Sequence, residues 1–264
     1  MGVRLSEMKL VRLSRHRQML VSRAKMRGLQ GLPERFRKQL FQGEESYCPV
    51  CESRIHKFEQ FGPISKSWCP ICMSMRWQRL AWLFLKRPTN LFDASIRLLH
   101  IAPEIAFEPR FRRIESFDYV TADLPDPNVM VKMDVCDIPF PHSSFDAIFC
   151  SHVMEHVPDD QKALCEFFRV LSSGGWAVFM VPIRMNRLTD EDLSITDPKE
   201  RERRFGQFDH VRYYGRDFED RLGKAGFQVT VFRPDDLVNE DQRESMGIHE
   251  KDALFYCQKP LSVG

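Results

Sequence analysis

The sequence predicts a doubly wound α/β domain that follows a small metal-binding module. From residue 95 onward, short apolar runs alternate with helix-like segments, a pattern typical of parallel strands with helices on both faces of the sheet. Several of these runs end in a polar or acidic residue, at the edge where an open sheet binds ligands that contain a nucleoside. Two Cys-Pro-x-Cys pairs lie upstream of this region.

Composition limits the classes of protein to which the chain could belong. Its 264 residues leave room for one large domain and a small one, and an apolar fraction of 43% is enough for a real core. The net charge of +2 gives no strong sign of nucleic-acid binding. We find no apolar run of transmembrane length and no secretory signal, so we expect a cytoplasmic protein whose eight cysteines do not form disulfides.

A basic helical arm is predicted over residues 1–44. Residues 1–30 carry eight Lys or Arg residues and a single acid, Glu7. Such a helix can bind nucleic acid or an anionic membrane. A solvated helix that packs loosely on the protein is the preferred interpretation, because the repeated charges leave no continuous apolar face.

Four cysteines predict a zinc ribbon over residues 45–75. They form two C-x2-C pairs separated by 17 residues, namely Cys48, Cys51, Cys69 and Cys72. This spacing suits a tetrahedral zinc ion held by two tight turns, and four thiolates leave no open coordination position for catalysis. Basic and aromatic residues between the pairs could bind single-stranded nucleic acid, although a minimal ribbon core is the more common use. Residues 76–94 are expected to form a docking helix and linker.

The large domain is predicted over residues 95–264. Its seven expected strands are 96–101, 119–122, 129–133, 145–150, 176–181, 228–232 and 253–257, and its expected helices are 104–114, 161–171 and 215–225. Residues 183–214 are too long for a plain connection and are expected to cover the substrate side. Within this insert, Asp209, His210 and Arg212 are candidates for binding an anionic or hydroxylated substrate.

A family resemblance rests on one ordered set of motifs. These are Asp137-Ile138-Pro139-Phe140, Ser144-Phe145-Asp146, the run from Ser151 to Pro158, and Phe168-Arg169-Val170-Leu171 followed by Gly174-Gly175. The combination resembles the small-molecule, "methyltransferase type 11"-like branch of the class I S-adenosylmethionine (SAM)-dependent methyltransferases, from about residue 95 to 259. Together with the four cysteines and the runs 101–104 and 205–212, it is similar to a bacterial subgroup with a fused zinc ribbon.

The resemblance implies a seven-stranded Rossmann-like sheet, SAM as cofactor and a structural zinc ion. The family's first loop usually reads acid-x-Gly-x-Gly, whereas this chain has no glycine between His100 and Glu104. By resemblance, the expected cofactor-binding residues are His100, Ile101, Ala102, Pro103, Glu104, Asp123, Leu124, Asp134, Val135, Ser151 and His152.

Individual roles follow from residue chemistry at those positions. A carboxylate at Asp123 can accept hydrogen bonds from both ribose hydroxyls. By resemblance, Asp134 with the Val135 backbone matches the segment that meets the adenine in the family. His152, His156 and His210 are the candidate catalytic residues, because histidine has a suitable pKa for accepting a proton from a hydroxyl acceptor. The Glu155-His156 pair recurs across many substrates of the family, which favours a structural role for His156.

The sequence thus predicts methyl transfer from SAM to an oxygen or nitrogen atom of a small molecule, such as a sugar, lipid or secondary metabolite. An RNA methyltransferase that grips RNA with the ribbon and basic arm is one alternative. A catalytically silent binding module, suggested by the missing glycines, is another. The acceptor and the oligomeric state are not determined by the sequence.

Overall fold

The computed structural model describes residues 18–92 and 95–261 of the chain. Its helices are α1 over residues 18–30, α2 (Glu34–Phe41), α3 (Arg76–Lys86), α4 (Glu108–Phe111), α5 (Asp160–Val170), α6 (Pro198–Phe205), α7 (Phe218–Lys224) and α8 (Glu240–Ser245). Its strands are β1 (Gln42–Cys48), β2 (Ser53–Ile55), β3 (Glu59–Phe61), β4 (Ile64–Trp68), β5 (Ile96–Ile101), β6 (Phe117–Asp123), β7 (Val131–Lys132), β8 (Phe145–Ser151), β9 (Leu171–Met180), β10 (Ile183–Arg184), β11 (Asp190–Glu191), β12 (Arg212–Gly215), β13 (Gln228–Phe232) and β14 (Leu254–Gln258). The first 17 residues of the predicted basic arm lie outside the described residues.

The chain divides into two compact units. One contains the described residues up to Arg87 together with Pro234–Lys251, and the other contains Pro88–Arg233 and the described residues from Asp252 onward. The first unit is therefore built from two separate stretches of the chain. Among the described helices, none combines the length and apolar character that a membrane span would need.

Two antiparallel hairpins, β1–β2 and β3–β4, form the sheets of the first unit. Cys48 ends β1 and Cys69 follows β4, so each hairpin brings one Cys-Pro-x-Cys turn into the same buried region. Trp68, Ile55 and the apolar face of α3 form much of the core around these turns. Helix α3 ends before Pro88, because the residue that precedes a proline disfavours the helical conformation.

Two arginines hold the first unit together through backbone carbonyl groups. Arg37 Nε donates a hydrogen bond to Ile71 O at 2.6 Å, inside the second cysteine turn. Arg79 is fully buried, packs its guanidinium 3.8 Å from the centre of the Phe58 ring, and donates to Ser74 O at 3.0 Å and Met246 O at 2.6 Å. Arg79 thereby connects the ribbon with the segment that follows α8.

A seven-stranded sheet organises the second unit, in the spatial order β13-β14-β9-β8-β5-β6-β7. All neighbours are parallel except β14, which runs antiparallel to both β13 and β9. Within this sheet the chain enters at β5, proceeds outward through β6 to β7, and then returns to the central strand β8 on the other side of β5. This reversal makes the carboxyl ends of β5 and β8 the topological switch point, where open α/β sheets bind their ligands. The predicted doubly wound α/β sheet of seven strands is confirmed.

Two elements of the second unit differ from the prediction. The helix expected over residues 104–114 is only the four-residue α4, because Pro109 lacks a donor and the preceding residues form turns instead. Strand β9 begins at Leu171, so Gly174 and Gly175 lie inside it rather than in a turn before it. The insert 183–214 contains a small three-stranded sheet in the order β10-β12-β11 together with α6.

Candidate active site

The loops that follow β5 and β8 both begin with an unusual backbone conformation. Ile101 pairs with Cys150, so these two adjacent strands end at the same level of the sheet. Ala102 has φ of +48° and His152 has φ of +56°, a region that residues other than glycine rarely adopt. Ala102 N donates to Ala122 O and His152 N donates to Met180 O, each at 2.8 Å. Strained backbone at the switch point is typical of a ligand-binding site.

The side chain of His100 lies in the core beneath the first loop. It is fully buried, and its ring packs edge-to-face with the rings of Phe111 and Phe149. His100 Nε2 donates to Glu104 Oε2 at 2.5 Å, and its Nδ1 accepts from the Tyr119 hydroxyl at 2.8 Å. Burial raises the pKa of Tyr119, which keeps the hydroxyl protonated as a donor. His100 therefore serves to hold Glu104, and its ring is not presented to the edge of the sheet.

Two polar atoms at this edge are buried without a partner among the described residues. They are Glu104 Oε1, on the loop after β5, and Ser151 Oγ, at the last residue of β8. Buried polar groups in proteins are nearly always hydrogen-bonded, so each of these atoms needs a partner that a ligand can supply. SAM offers an ammonium group, hydroxyl groups and ring nitrogens, and the donor set at this edge is compatible with it.

The acids predicted from the second and third strands lie at the same edge. Asp123 ends β6, is partly buried, and accepts a hydrogen bond from Leu124 N at 2.9 Å through Oδ1. Asp134 follows β7, is exposed, and accepts from Cys136 N at 2.8 Å, while the adjacent Val135 side chain is buried. The structure therefore brings the predicted cofactor residues of β5, β6 and β8 to the carboxyl ends of neighbouring strands.

The candidate catalytic histidines are organised around Glu155. His152 Nδ1 donates to Glu155 Oε1 at 3.1 Å, and only 1% of the Glu155 surface is exposed. His156 lies 3.4 Å from Asp209 through its Nδ1 atom, and its ring meets the His210 ring edge-on with centroids 4.7 Å apart. Burial lowers the pKa of His210, which favours a neutral imidazole. All three predicted histidines thus belong to one local cluster.

Arg212 holds this cluster in place and is not accessible to a substrate. The side chain is fully buried and donates to Met154 O at 2.9 Å, to Pro158 O at 2.8 Å and also to Val157 O. These carbonyl groups belong to the turn that carries Glu155 and His156. The expectation that Arg212 binds substrate is wrong, because its donors are used by the backbone of that turn and by an acid of the insert.

The charge of Arg212 is compensated by a buried ion network. Its Nε donates to Glu191 Oε2 at 2.8 Å, and Arg221 donates to Glu191 Oε2 at 2.9 Å and to Asp160 Oδ2 at 2.8 Å. Burial by itself would raise the pKa of Glu191, but the hydrogen bond and charge of Arg212 outweigh burial and lower it. The buried Tyr214 hydroxyl donates to Asp160 Oδ2 at 2.9 Å. The network fixes β11 and β12 of the insert to the turn after β8.

Glu155 and Tyr119 contact candidate site residues, His152 and His100, but the sequence analysis did not single them out. Glu155 was visible only as part of a family motif, and its burial depends on the segment before β12, which is distant in the chain. In the sequence Tyr119 has the pattern of an ordinary strand residue, because its hydrogen-bond partner, His100, lies on the neighbouring strand. The spacing of four residues between His100 and Glu104 was the one local signal of their contact.

The four predicted zinc ligands converge in the first unit. The sulfur atoms of Cys48 and Cys72 are 3.6 Å apart, and those of Cys51 and Cys69 are 3.8 Å apart. Zinc–sulfur bonds of about 2.3 Å in a tetrahedron place the sulfur atoms about 3.8 Å apart, so the cluster has the dimensions of such a site. Burial raises the pKa of Cys69 and Cys72, so binding of a cation would have to displace thiol protons. The buried cluster could therefore hold zinc.

Part of the second unit matches a known family. Residues 106–179 match the sequence model of the methyltransferase-domain family, from the turns before α4 to near the end of β9. No curated protein matches the chain in sequence. The family match covers the Ser144–Pro158 motifs and strand β8, and it begins after β5.

Solved structures share the fold at low sequence identity. The [4+2]-cyclase SpnF superimposes with a TM-score of 0.55 at 14% identity, covering 96% of this chain and 97% of that protein. A SAM-dependent methyltransferase from Mesorhizobium loti has a TM-score of 0.45 at 16% identity and covers 63% and 92% of the two chains. Phosphoethanolamine N-methyltransferase 2 of Haemonchus contortus, in complex with SAM, has a TM-score of 0.47 at 17% identity and covers 69% and 52%.

Proposed function

We propose that this chain, which contains a SAM-dependent methyltransferase domain, binds SAM across the carboxyl ends of β5, β6 and β8 and methylates an oxygen or nitrogen atom of a small molecule. The observation that carries the cofactor site is that Glu104 Oε1 and Ser151 Oγ, on the loop after β5 and at the end of β8, are both buried and have no hydrogen-bond partner among the described residues. When bound, SAM supplies an electrophilic methyl group on a sulfonium sulfur.

The ammonium, ribose and adenine groups of SAM each have a candidate binding residue at this edge of the sheet. Glu104, oriented by His100, has a carboxylate oxygen for the ammonium group of the methionine moiety. Asp123 is placed to accept from the ribose hydroxyls, and Asp134 with Val135 borders the adenine. Ala102 lacks a bulky side chain, so the backbone of the first loop leaves room for the cofactor even without glycine.

His152 is the candidate general base for a hydroxyl acceptor. A carboxylate accepts hydrogen bonds, so the contact with Glu155 fixes the proton on Nδ1 and makes Nε2 the basic nitrogen of the ring. Methyl transfer to oxygen requires removal of the hydroxyl proton as the new bond forms, and a positioned histidine can accept it. His152 is also the first residue after β8, where alignment of acceptor and methyl donor takes place.

The acceptor class rests on charge and on the insert. The net charge of +2 gives no strong basic surface for RNA, and the insert places β10–β12 and α6 in the same unit as the catalytic cluster. In the first unit, we propose that Cys48, Cys51, Cys69 and Cys72 hold a structural zinc ion, because the distances between their sulfur atoms suit a tetrahedron.

The cofactor site is tested by calorimetric titration of the zinc-loaded protein with S-adenosylhomocysteine. We expect micromolar binding that Asp123→Asn weakens at least tenfold. Asp118→Asn is the matched control, because Asp118 is an exposed acid near the start of the same strand β6. Absence of binding to the folded protein, or an equal affinity for both variants, would contradict the proposed site.

Acceptor class is tested with radiolabelled SAM. We expect label to enter small molecules from a metabolite extract, and His152→Gln to lower the rate of transfer by a larger factor than it weakens the affinity for S-adenosylhomocysteine. Transfer to RNA that declines steeply with salt would instead favour an RNA methyltransferase. Cofactor binding with no transfer to any acceptor pool would favour the catalytically silent module.

A further inference from the structure

We propose that Glu155, His156 and His210 form a second metal site, distinct from the four cysteines, that takes a divalent transition-metal ion. One ligand atom from each of the three residues lies within 4.8 Å of the others. Two imidazoles and one carboxylate come together from the turn after β8 and from the segment before β12.

The carboxylate of Glu155 points to a missing partner. Its Oε1 accepts from His152, whereas Oε2 is buried and has no hydrogen-bond partner among the residues described. A carboxylate oxygen that is withdrawn from water needs a donor or a cation to compensate it. The other members of the cluster are imidazoles that can act as ligands, so a bound cation would compensate Oε2 and engage both histidines at once.

His210 uses its second ring nitrogen as metal-binding histidines do, and His156 has a carboxylate near its own second nitrogen. His210 Nδ1 lies 3.1 Å from Phe205 O, and a carbonyl only accepts, so Nδ1 carries the proton and Nε2 keeps its lone pair. His156 Nδ1 faces the Asp209 carboxylate at 3.4 Å. Hydrogen bonds from the second ring nitrogen to a carbonyl or carboxylate orient histidine ligands and increase their basicity.

The site is held by contacts outside the three ligands. Val211 N donates to Glu155 O at 3.0 Å, which joins the strand next to His210 to the turn that carries the other two ligands. Arg212, the next residue, donates to carbonyl groups on both sides of Glu155 and His156. These contacts fix the backbone segments to each other, so side-chain rotation alone is left to bring the ligand atoms from within 4.8 Å of one another to coordination distances.

The chemistry of the ligands indicates which ions would bind. Imidazole and carboxylate suit zinc, iron, cobalt or manganese, whereas magnesium and calcium prefer oxygen ligands alone. Three protein ligands leave at least one coordination position open, unlike the closed four-cysteine site. His152 contacts the same carboxylate, Glu155, so if the proposed function holds, an ion here could take the oxygen of a hydroxyl acceptor and lower the pKa of that hydroxyl.

Cobalt(II) tests the site on the full-length protein after the cysteines have been filled with one equivalent of zinc. We expect a second equivalent, now of Co²⁺, to bind with micromolar affinity and to show visible d–d absorption without thiolate-to-cobalt charge-transfer bands. Glu155→Gln and His156→Gln should each weaken Co²⁺ binding at least tenfold. His142→Gln is the matched control, because His142 is an exposed histidine in the same unit and its replacement should leave binding unchanged.

Two results would overturn the metal site. One is no Co²⁺ binding beyond the cysteine site in folded protein. The other is binding of equal strength in the parent and in both folded variants. His156→Gln decides the question if Glu155→Gln does not fold, because His156 is only partly buried. Titration with S-adenosylhomocysteine is measured separately, so failure of the methyltransferase proposal and failure of the metal site are distinguishable.

Discussion

Replacement of Arg212 by methionine should uncouple the turn after β8 from the insert. Methionine keeps much of the volume of the arginine stem but removes every donor. The buried carbonyl groups of Met154 and Val157, and the carbonyl group of the exposed Pro158, would lose this donor, and Glu191 would keep only Arg221. We therefore expect a lower free energy of unfolding and a displaced histidine cluster.

The size of the effect follows from the number and kind of hydrogen bonds that methionine cannot make. A hydrogen bond to a charged group contributes about 1.5–3 kcal/mol, and removal of one member of a buried ion pair costs about 3–5 kcal/mol. Interactions within one network are not additive, and Arg221 continues to compensate Glu191. We expect Arg212→Met to reduce the free energy of unfolding by about 3–5 kcal/mol, which is a large part of the stability of a typical domain.

Urea unfolding, followed by circular dichroism, measures this change against a matched control. Arg203→Met removes an arginine whose side chain is 59% exposed and which pairs with Glu200 on α6, so it should leave the free energy of unfolding nearly unchanged. Arg212→Lys keeps the charge but lacks the planar set of donors, and should fall between the two. The reasoning is refuted if Arg212→Met unfolds at the same urea concentration as Arg203→Met.

Three further predictions concern other parts of the molecule. Because Ala102 has positive φ, Ala102→Gly should change stability by no more than about 1 kcal/mol, whereas Ala102→Val should cost about 2 kcal/mol in thermal unfolding. Cys69→Ser, or treatment of the parent with a chelator, should abolish the near-ultraviolet dichroism of the first unit around buried Trp68, with zinc content measured in parallel. Arg97 holds the pKa of Asp146 below its usual range, so the stability from this pair is present above about pH 4 and is lost as the pH falls further. Unfolding measured against pH should show this loss in the parent and not in Asp146→Asn.

Much of the fold could be predicted because its signals are local. Alternation of apolar runs with helical segments indicated the seven-stranded sheet, and the paired Cys-Pro-x-Cys turns indicated the buried cysteine cluster. No local pattern indicated that Pro234–Lys251 groups with the first unit. That grouping depends on contacts such as Arg79 with Met246, which join residues far apart in the chain.

The site residues were harder to assign, because burial decides their role. Arg212 and His210 are adjacent to aromatic and charged residues that read as a substrate-binding surface. The structure buries both, and uses Arg212 as a donor to the backbone of the turn after β8. A side chain with five donors can either bind a ligand or satisfy buried carbonyl groups, and sequence does not distinguish the two uses.

The departure of the first loop from the family pattern is best understood as a relocation of its acid. His100 occupies the position of the usual carboxylate, and the loop has no glycine. Four residues later, the Glu104 carboxylate accepts a hydrogen bond from His100 through Oε2, while its Oε1 is buried at the same edge of the sheet. The left-handed φ that glycine normally provides is adopted by Ala102, stabilised by its hydrogen bond to Ala122 O. Because both the carboxylate and the turn persist in altered form, the missing glycines do not by themselves argue that the cofactor site was lost.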